Sequence, residues 1–379
     1  MGNDKSICVL GAGMVGGVIA QDLAQQYEVT SADISDTALG RLAKCGIKTR
    51  RLDIGDAQAL AAYVQPFALV VCAVPGFMGY RTLKTLLEAG KQVVDISFFP
   101  EDALELGALA KHKGVTALVD MGVAPGMDNL ILGHHDACMQ VSRFECLVGG
   151  LPQHPKPPFF YKAPFSPIDV IEEYTRPARL QRGGKLVILP ALTERELREF
   201  EGVGTLEAFN TDGLRSLLKT MAHIPEMSEK TLRYPGHVAL IEALQLAGFF
   251  ATGAVEIKGA RVRPLDLSAQ LLLQQWKLEP GEPELTVMRV TVEGQEQGES
   301  VRHVWDLLDQ YDPETGFSSM ARTTGFTCAA AAVLLLEDKY REPGIHPPEH
   351  VGRHEDCFIY IREYLGARHV DYRHRTQPV

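Results

Sequence analysis

The chain has 379 residues, more than a single compact core usually holds, so two domains are expected. Its 45% hydrophobic and 23% charged composition is ordinary for a globular enzyme, and a formal net charge of -10 argues against a nucleic-acid partner, whose phosphates demand Lys and Arg. The seven cysteines form no CxxC pair and sit mostly in apolar runs, so they read as reduced thiols, not as disulfides or zinc ligands. The opening MGNDKSICVL shows no basic-then-apolar leader, and Gly2 with Ser6 meets only a short, common acylation pattern. No apolar run approaches the ~20 residues of a membrane span. A cytoplasmic protein without a membrane partner is the expectation.

In chain order, strand-like runs at 6–10, 28–32, 47–52, 68–73, 92–96 and 116–120 predict six strands. Stretches at 15–26, 36–44, 56–63, 78–88 and 103–111 predict the helices between them, with Gly90 and Gly114 placed as C-terminal caps. Short apolar strands alternating with helices imply right-handed parallel units, hence an α/β fold with a Rossmann-type doubly wound sheet. Residues 1–122 form this expected dinucleotide-binding domain. Past Pro125 the pattern becomes α+β, and residues 123–322 are expected to bind substrate and build a homodimer or higher oligomer. Within it, LPQHPKPPFF predicts an ordered loop, and the alternation at 285–294, followed by a polar turn and then 303–311, predicts a hairpin. Helical patterns return at 325–337 and 356–365, so residues 323–379 are expected to complete the first domain.

Gly11-Ala12-Gly13-Met14-Val15-Gly16 follows directly on the strand ICVL and opens a helix. That context turns a weak G-x-G-x-x-G string into a dinucleotide fingerprint: a tight turn, an open backbone for the pyrophosphate, close helix packing, and a helix N-terminus for the phosphates. Asp33 ends the next strand, 17 residues after Gly16, where a carboxylate accepts the ribose hydroxyls and repels a 2′-phosphate. NAD is therefore favoured over NADP. Asp53 is a candidate for the adenine edge. Ala73, Val74 and Pro75, with Ser97 and Met121, close later strands where the nicotinamide end would lie.

The segment DMGVAPGMDNLILG at 120–133 and LVGGLP at 147–152, with EGVGTLEAFNTDG at 201–213, TLRYPGH at 231–237 and MARTTGF at 320–326, resemble the saccharopine dehydrogenase family in family order. Saccharopine-forming members carry Asp before the Pro of the first turn and Cys before the Gly-Gly; Ala124 and Val148 stand there instead. GVAPGM, VGGLP, PFFYKAPFS and LEAFNTDG resemble lysine 6-dehydrogenases within the family. The resemblance implies NAD-dependent oxidation of the ε-amine of L-lysine to a semialdehyde that cyclises. Saccharopine or carboxynorspermidine dehydrogenase, acting on a secondary amine, is the alternative, and a non-catalytic NAD-binding regulator is a rival of another class.

Such a reaction needs a neutral amine, a carboxylate clamp and a proton acceptor. Asp120, Tyr161 and His237 are the candidates for proton handling. Arg233 is the candidate carboxylate clamp, because its planar fork matches a carboxylate. Thr211, Gly149 and Gly150 are expected beside the substrate, and Arg322 beside the cofactor. His134-His135-Asp136 is not read as a metal site, since neighbouring helical residues point about 100° apart.

Overall fold

The computed structural model describes residues 5–163, 167–279 and 281–379; Gly2 and the last three residues of PFFYKAPFS lie outside them. The first stretch contains β1 (Ser6–Leu10), α1 (Met14–Leu23), β2 (Glu28–Asp33), α2 (Asp36–Lys44), β3 (Lys48–Arg51), α3 (Ala57–Tyr63), β4 (Leu69–Cys72), α4 (Gly76–Glu88), β5 (Gln92–Asp95), α5 (Gly107–Lys113), β6 (Thr116–Leu118) and α6 (Met127–Asp136). The middle adds β7 (Gln140–Pro152), α7 (Pro167–Thr175), β8 (Ala178–Arg182), β9 (Lys185–Leu189), β10 (Glu196–Phe200), β11 (Gly204–Asn210), α8 (Leu217–Thr220), β12 (Glu226–Arg233) and α9 (His237–Leu246). It continues through β13 (Val255–Ile257), β14 (Ala260–Val262), α10 (Pro264–Trp276), β15 (Glu284–Glu296) and β16 (Glu299–Gln310). The tail carries α11 (Ser319–Leu336), β17 (Gly344–His346), α12 (Pro348–Gly352), α13 (Glu355–Gly366) and β18 (Tyr372–Pro378).

Two compact units result, Met1–Gln140 with Met320–Tyr372, and Val141–Ser319 with Arg373–Val379. The first is a seven-stranded parallel sheet in the order β17-β6-β5-β4-β1-β2-β3. Its central strands β1, β4 and β5 read as apolar runs because helices cover both faces: Ile7, Val9, Val70, Val71, Val93 and Val94 are all fully buried. The order reverses between β1 and β4, which opens a crevice at their carboxyl ends. The unit runs on past residue 122 to Gln140, because α6 is packed against the tail. Asn129 Nδ2 donates to buried Glu349 Oε2 at 3.0 Å, and the His134 ring stacks on Phe358 at 4.2 Å. The tail also supplies a seventh strand, β17, whose three residues are too short for a sequence pattern to reveal. The last residues, expected in this unit, belong instead to β18 in the other one.

Among the described residues α11 is long and apolar enough to cross a bilayer, yet 89% of its apolar window is buried in the fold. Burial on all sides explains its Ala-rich face: Ala329, Ala330, Ala331 and Ala332 have no exposed surface.

The second unit centres on a nine-stranded sheet, with the path β10-β11-β12-β7-β15-β16-β18 and with β8 and β9 added beside β12. The predicted hairpin is its longest pairing: β15 and β16 run antiparallel in continuous register from Leu285↔Gln310 to Glu296↔Glu299, turned by Gln297 and Gly298 in the left-handed region. One apolar cluster, including Leu147, Leu206, Leu232 and Val287, packs on the sheet. A second gathers Tyr161 from the loop, Phe209 from β11, and Tyr174, Val238, Ile241 and Trp276 from helices.

Candidate active site

In the first unit the glycines do what their spacing predicts. Gly11 has φ +100, and a Cβ there would strike Ala73 O; a Cβ on Gly16 would strike Gly11 O. Only glycine permits both approaches. Gly13, by contrast, would meet nothing within 4 Å. It is the N-cap of α1 and has no side-chain cap, so the first N–H groups of α1 are left for an incoming acceptor. This open backbone above a helix N-terminus is the cradle a pyrophosphate needs, and the residues present fit a dinucleotide.

Asp33 Oδ2 accepts from Ala12 N at 2.6 Å, and Oδ1 accepts from Ser35 N at 2.7 Å. The carboxylate therefore ties the glycine loop to the turn after β2, and its remaining lone pairs are what a ribose hydroxyl would use. Arg51 lies beside Asp33 in the β2–β3 register and meets Asp36 at 3.4 Å.

Three exposed large apolar side chains of this unit lie beyond the carboxyl ends of its strands. Met14 is 52% exposed, Ile34 57% and Phe77 85%, and they follow β1, β2 and β4. Such side chains at strand ends are consistent with a flat apolar ligand group. Beside them lies a cavity of about 270 Å³ lined by Ile54, Gly55, Phe77, Met78 and Arg81. Ile34, Ile54 and Phe77 carry no motif in the sequence: Ile34 directly follows β2, Ile54 lies in the loop after β3, and Phe77 opens α4.

Other expected cofactor residues are engaged elsewhere. Asp53 Oδ1 accepts from Gly55 N at 2.9 Å and shapes its own turn. Ser97 is 2% exposed and turns inward, with its N–H on Asp95 Oδ1 at 2.8 Å and its hydroxyl on Asp95 Oδ2 at 3.3 Å. Met121 is fully buried. Arg322 Nη2 donates to Arg368 O at 3.0 Å and His369 O at 3.4 Å, capping the end of α13. Ala73 packs against Gly11, Val74 is buried behind it, and Pro75 is the N-cap of α4. Val15 lies in the first turn of α1. Asp120 sits just past β6 in the left-handed region at φ +56, with Gly122 N donating to its carbonyl at 2.9 Å, and is 7% exposed.

In the second unit Arg233, Tyr161 and His237 are brought together, as one buried cluster. Arg233 ends β12 and is 2% exposed. Its Nε donates to Tyr174 Oη at 3.0 Å, Nη1 to Leu232 O at 2.9 Å, and Nη2 to Glu173 Oε2 at 2.8 Å. Its guanidinium lies 4.4 Å from the Tyr161 ring centre, so a cation–π contact adds to the ion pair. The fork expected to clamp a substrate carboxylate is thus already occupied. His237 has no exposed surface, and its pKa is lowered to about 3 by burial and by the Arg233 charge. It is a neutral hydrogen-bond relay and not a base that titrates near neutrality. Burial carries the Tyr161 hydroxyl well above its usual range, so that phenol keeps its proton.

Thr211 Oγ1 is 2.9 Å from Thr231 Oγ1 and donates to Glu229 Oε2 at 3.4 Å. Gly149 lets β7 approach β12, since a Cβ there would lie 2.7 Å from Leu232 O, and Gly150 is buried beside it. Tyr174, Glu173 and Trp276, which complete the cluster, carried no local signal: they come from α7 and α10, far along the chain.

Two family models match the chain, described as the saccharopine dehydrogenase NADP binding domain over residues 7–118 and the saccharopine dehydrogenase C-terminal domain over 122–370. The alpha-aminoadipic semialdehyde synthase of Arabidopsis thaliana is 23% identical over 80% of this chain, which spans only 36% of that relative's length. The saccharopine dehydrogenase (NADP(+), L-glutamate-forming) of Pyricularia oryzae is also 23% identical, over 83% of this chain and 86% of that protein. The solved apo saccharopine dehydrogenase (L-Glu forming) of Saccharomyces cerevisiae superposes with a TM-score of 0.80 at 21% identity, covering 98% of this chain and 100% of that one. At that identity the likeness speaks for the fold.

Proposed function

Because the chain belongs to the saccharopine dehydrogenase family, we propose that it is a nicotinamide-dependent dehydrogenase that oxidises the ε-amine of L-lysine to an imine, which hydrolyses to the semialdehyde and cyclises. The observation that carries the substrate reading is the pair Ala124 and Val148. Both are half-buried positions with apolar side chains, where saccharopine-forming members of the family carry Asp and Cys.

A nicotinamide held at the glycine loop would supply the hydride acceptor. The chain's own residues must position the amine and move its protons. A free lysine ε-amine has a pKa of ~10.4, so it must shed a proton before its carbon can release hydride. We assign Asp120 to take that proton, because it lies at a strand end in the first unit and His237 is held neutral by burial. Loss of hydride from the same carbon turns C–N into C=N. Water then adds, ammonia leaves, and the aldehyde remains.

NAD is the dinucleotide we propose, on the strength of the Asp33 carboxylate at the end of β2. The description of the matching family model supports NADP. A secondary-amine substrate is the second reading, supported by relatives named saccharopine dehydrogenase. A cytoplasmic homo-oligomer stays part of the proposal; exposed Leu246, Phe249, Leu267 and Leu271 on and after α9 and on α10 support self-association.

The test is dinucleotide reduction, followed by absorbance, with L-lysine, ornithine, saccharopine and a carboxylated polyamine, each with NAD and with NADP. Turnover with lysine and a cyclic imine product is expected. Turnover with secondary amines alone moves the function to the second reading. Cofactor binding with no amine-dependent reduction makes the protein a dinucleotide-binding regulator.

A further inference from the structure

Asp95 ends β5 as a carboxyl group with no exposed surface, and among the described residues its hydrogen bonds come from Ser97 and not from a cation. Such a group is costly to bury unless its surroundings use it. Its surroundings are specific. Oδ1 accepts from Ser97 N at 2.8 Å and Oδ2 from Ser97 Oγ at 3.3 Å, and Ser97 Oγ lies 3.7 Å from Cys72 Sγ at the end of β4. The turn so formed, Ser97 to Phe99, presses on the first turns of α4. A Cβ on Gly76 would strike Phe98 O, and one on Gly79 would lie 2.6 Å from Ser97 Cβ and 2.5 Å from the Phe99 ring. The segment just before Gly76 begins at Ala73, which packs against Gly11 and Gly16. Packed backbone therefore runs without a gap from Asp95 to the dinucleotide loop.

We propose that Asp95 is a positioning residue for the nicotinamide half of the cofactor site, holding the Ser97–Phe99 turn against α4 and thereby the Ala73–Gly76 backbone in its binding geometry. The proposal rests on the dinucleotide reading of the first unit. An asparagine would serve the turn's hydrogen bonds; a carboxyl adds a proton dependence. Burial, with a smaller push from the Asp120 charge, carries Asp95 up to about 7 against the hydrogen bonds of Cys72 and Ser97, which lower it. The groups facing it are Cys72 from β4, Ser97 from its own turn, Asp120 beyond β6, and Cys328 from α11, itself held protonated by burial. As pH rises through neutrality the carboxyl ionises; its Ser97 hydrogen bonds favour the charge but burial outweighs them, so the charge is relieved by a shift of the turn that admits water.

The experiment is NADH and NADPH binding, read by nucleotide fluorescence across about pH 5.5 to 8.5, on the full chain and on Asp95→Asn and Asp95→Ala. For the preferred nucleotide, the unaltered protein is expected to lose about threefold or more in affinity above neutrality, Asp95→Asn to bind with a flat profile, and Asp95→Ala to bind about tenfold more weakly at every pH. If Asp95→Ala does not fold, the Asp95→Asn profile decides. Binding whose pH profile is the same in Asp95→Asn as in the unaltered protein overturns the positioning role and leaves the cofactor reading standing. An unaltered protein that binds neither nucleotide overturns the cofactor reading and the positioning role with it.

Discussion

The hydroxyl of Tyr174 stands 2.8 Å from Nε2 of His237, while Nδ1 of the same ring stands 2.8 Å from Phe159 O. A carbonyl can only accept, so Nδ1 carries the proton and Nε2 accepts from the phenol. Both nitrogens are consumed inside a ring cluster closed by Trp276 and Tyr161.

His237 should therefore stay neutral through the acid range. Its pKa lies below the unfolded value, so the stability it contributes is present above about pH 6.5 and is lost as pH falls toward about 3. Histidine NMR should show an unchanging Nδ1–H tautomer at neutral pH. His237→Ala should cost about 2–4 kcal/mol in chemical denaturation, through the cavity and the orphaned Tyr174 hydroxyl. Loss of an inflection near neutrality from the pH–rate profile, with stability intact, would restore His237 as an acid/base.

The fingerprint glycines should separate folding from binding. Gly16→Ala puts a methyl into Gly11 O and should cost about 2 kcal/mol or more in stability. Gly13→Ala meets nothing within 4 Å, so the melting temperature should hold while dinucleotide affinity falls about tenfold or more. Equal affinity in Gly13→Ala and the parent protein would exclude phosphate binding over α1.

Asp33 joins two backbone donors at the carboxyl end of β2. Asp33→Ala should weaken NAD more than NADP, shifting the ratio of their kcat/KM values about tenfold toward NADP. An unmoved ratio removes Asp33 from cofactor discrimination and leaves it a loop staple.

Arg233 and Glu173 form an ion pair with one partner buried and the other 25% exposed. Arg233→Met should destabilise by about 3–5 kcal/mol, since it strips the cation from two tyrosine faces and leaves Glu173 and Tyr174 short of a donor. Glu173→Gln should cost less, about 1 kcal/mol, because the amide oxygen still accepts. If Arg233→Met kept its stability and lost only amino-acid affinity, the residue would be a substrate clamp after all.

The amino-acid sequence by itself determined what is local and periodic. Strand–helix alternation through residue 120, the G-x-G-x-x-G turn and Asp33 at the end of β2 all follow from steric and hydrogen-bonding rules that act within about 30 residues. The β15–β16 hairpin was equally legible, because alternation and a polar turn specify its register. Tertiary structure decided what depends on partners distant in the chain. Only packing brought Glu349 against Asn129 and so extended the first unit to Gln140. Only packing closed Tyr174, Glu173 and Trp276 around Arg233 and His237, turning two side chains that look reactive in sequence into a buried, neutral-and-paired core. A side chain's chemistry is set by its desolvation and its nearest charges, and those come from residues the chain places alongside only once it has folded.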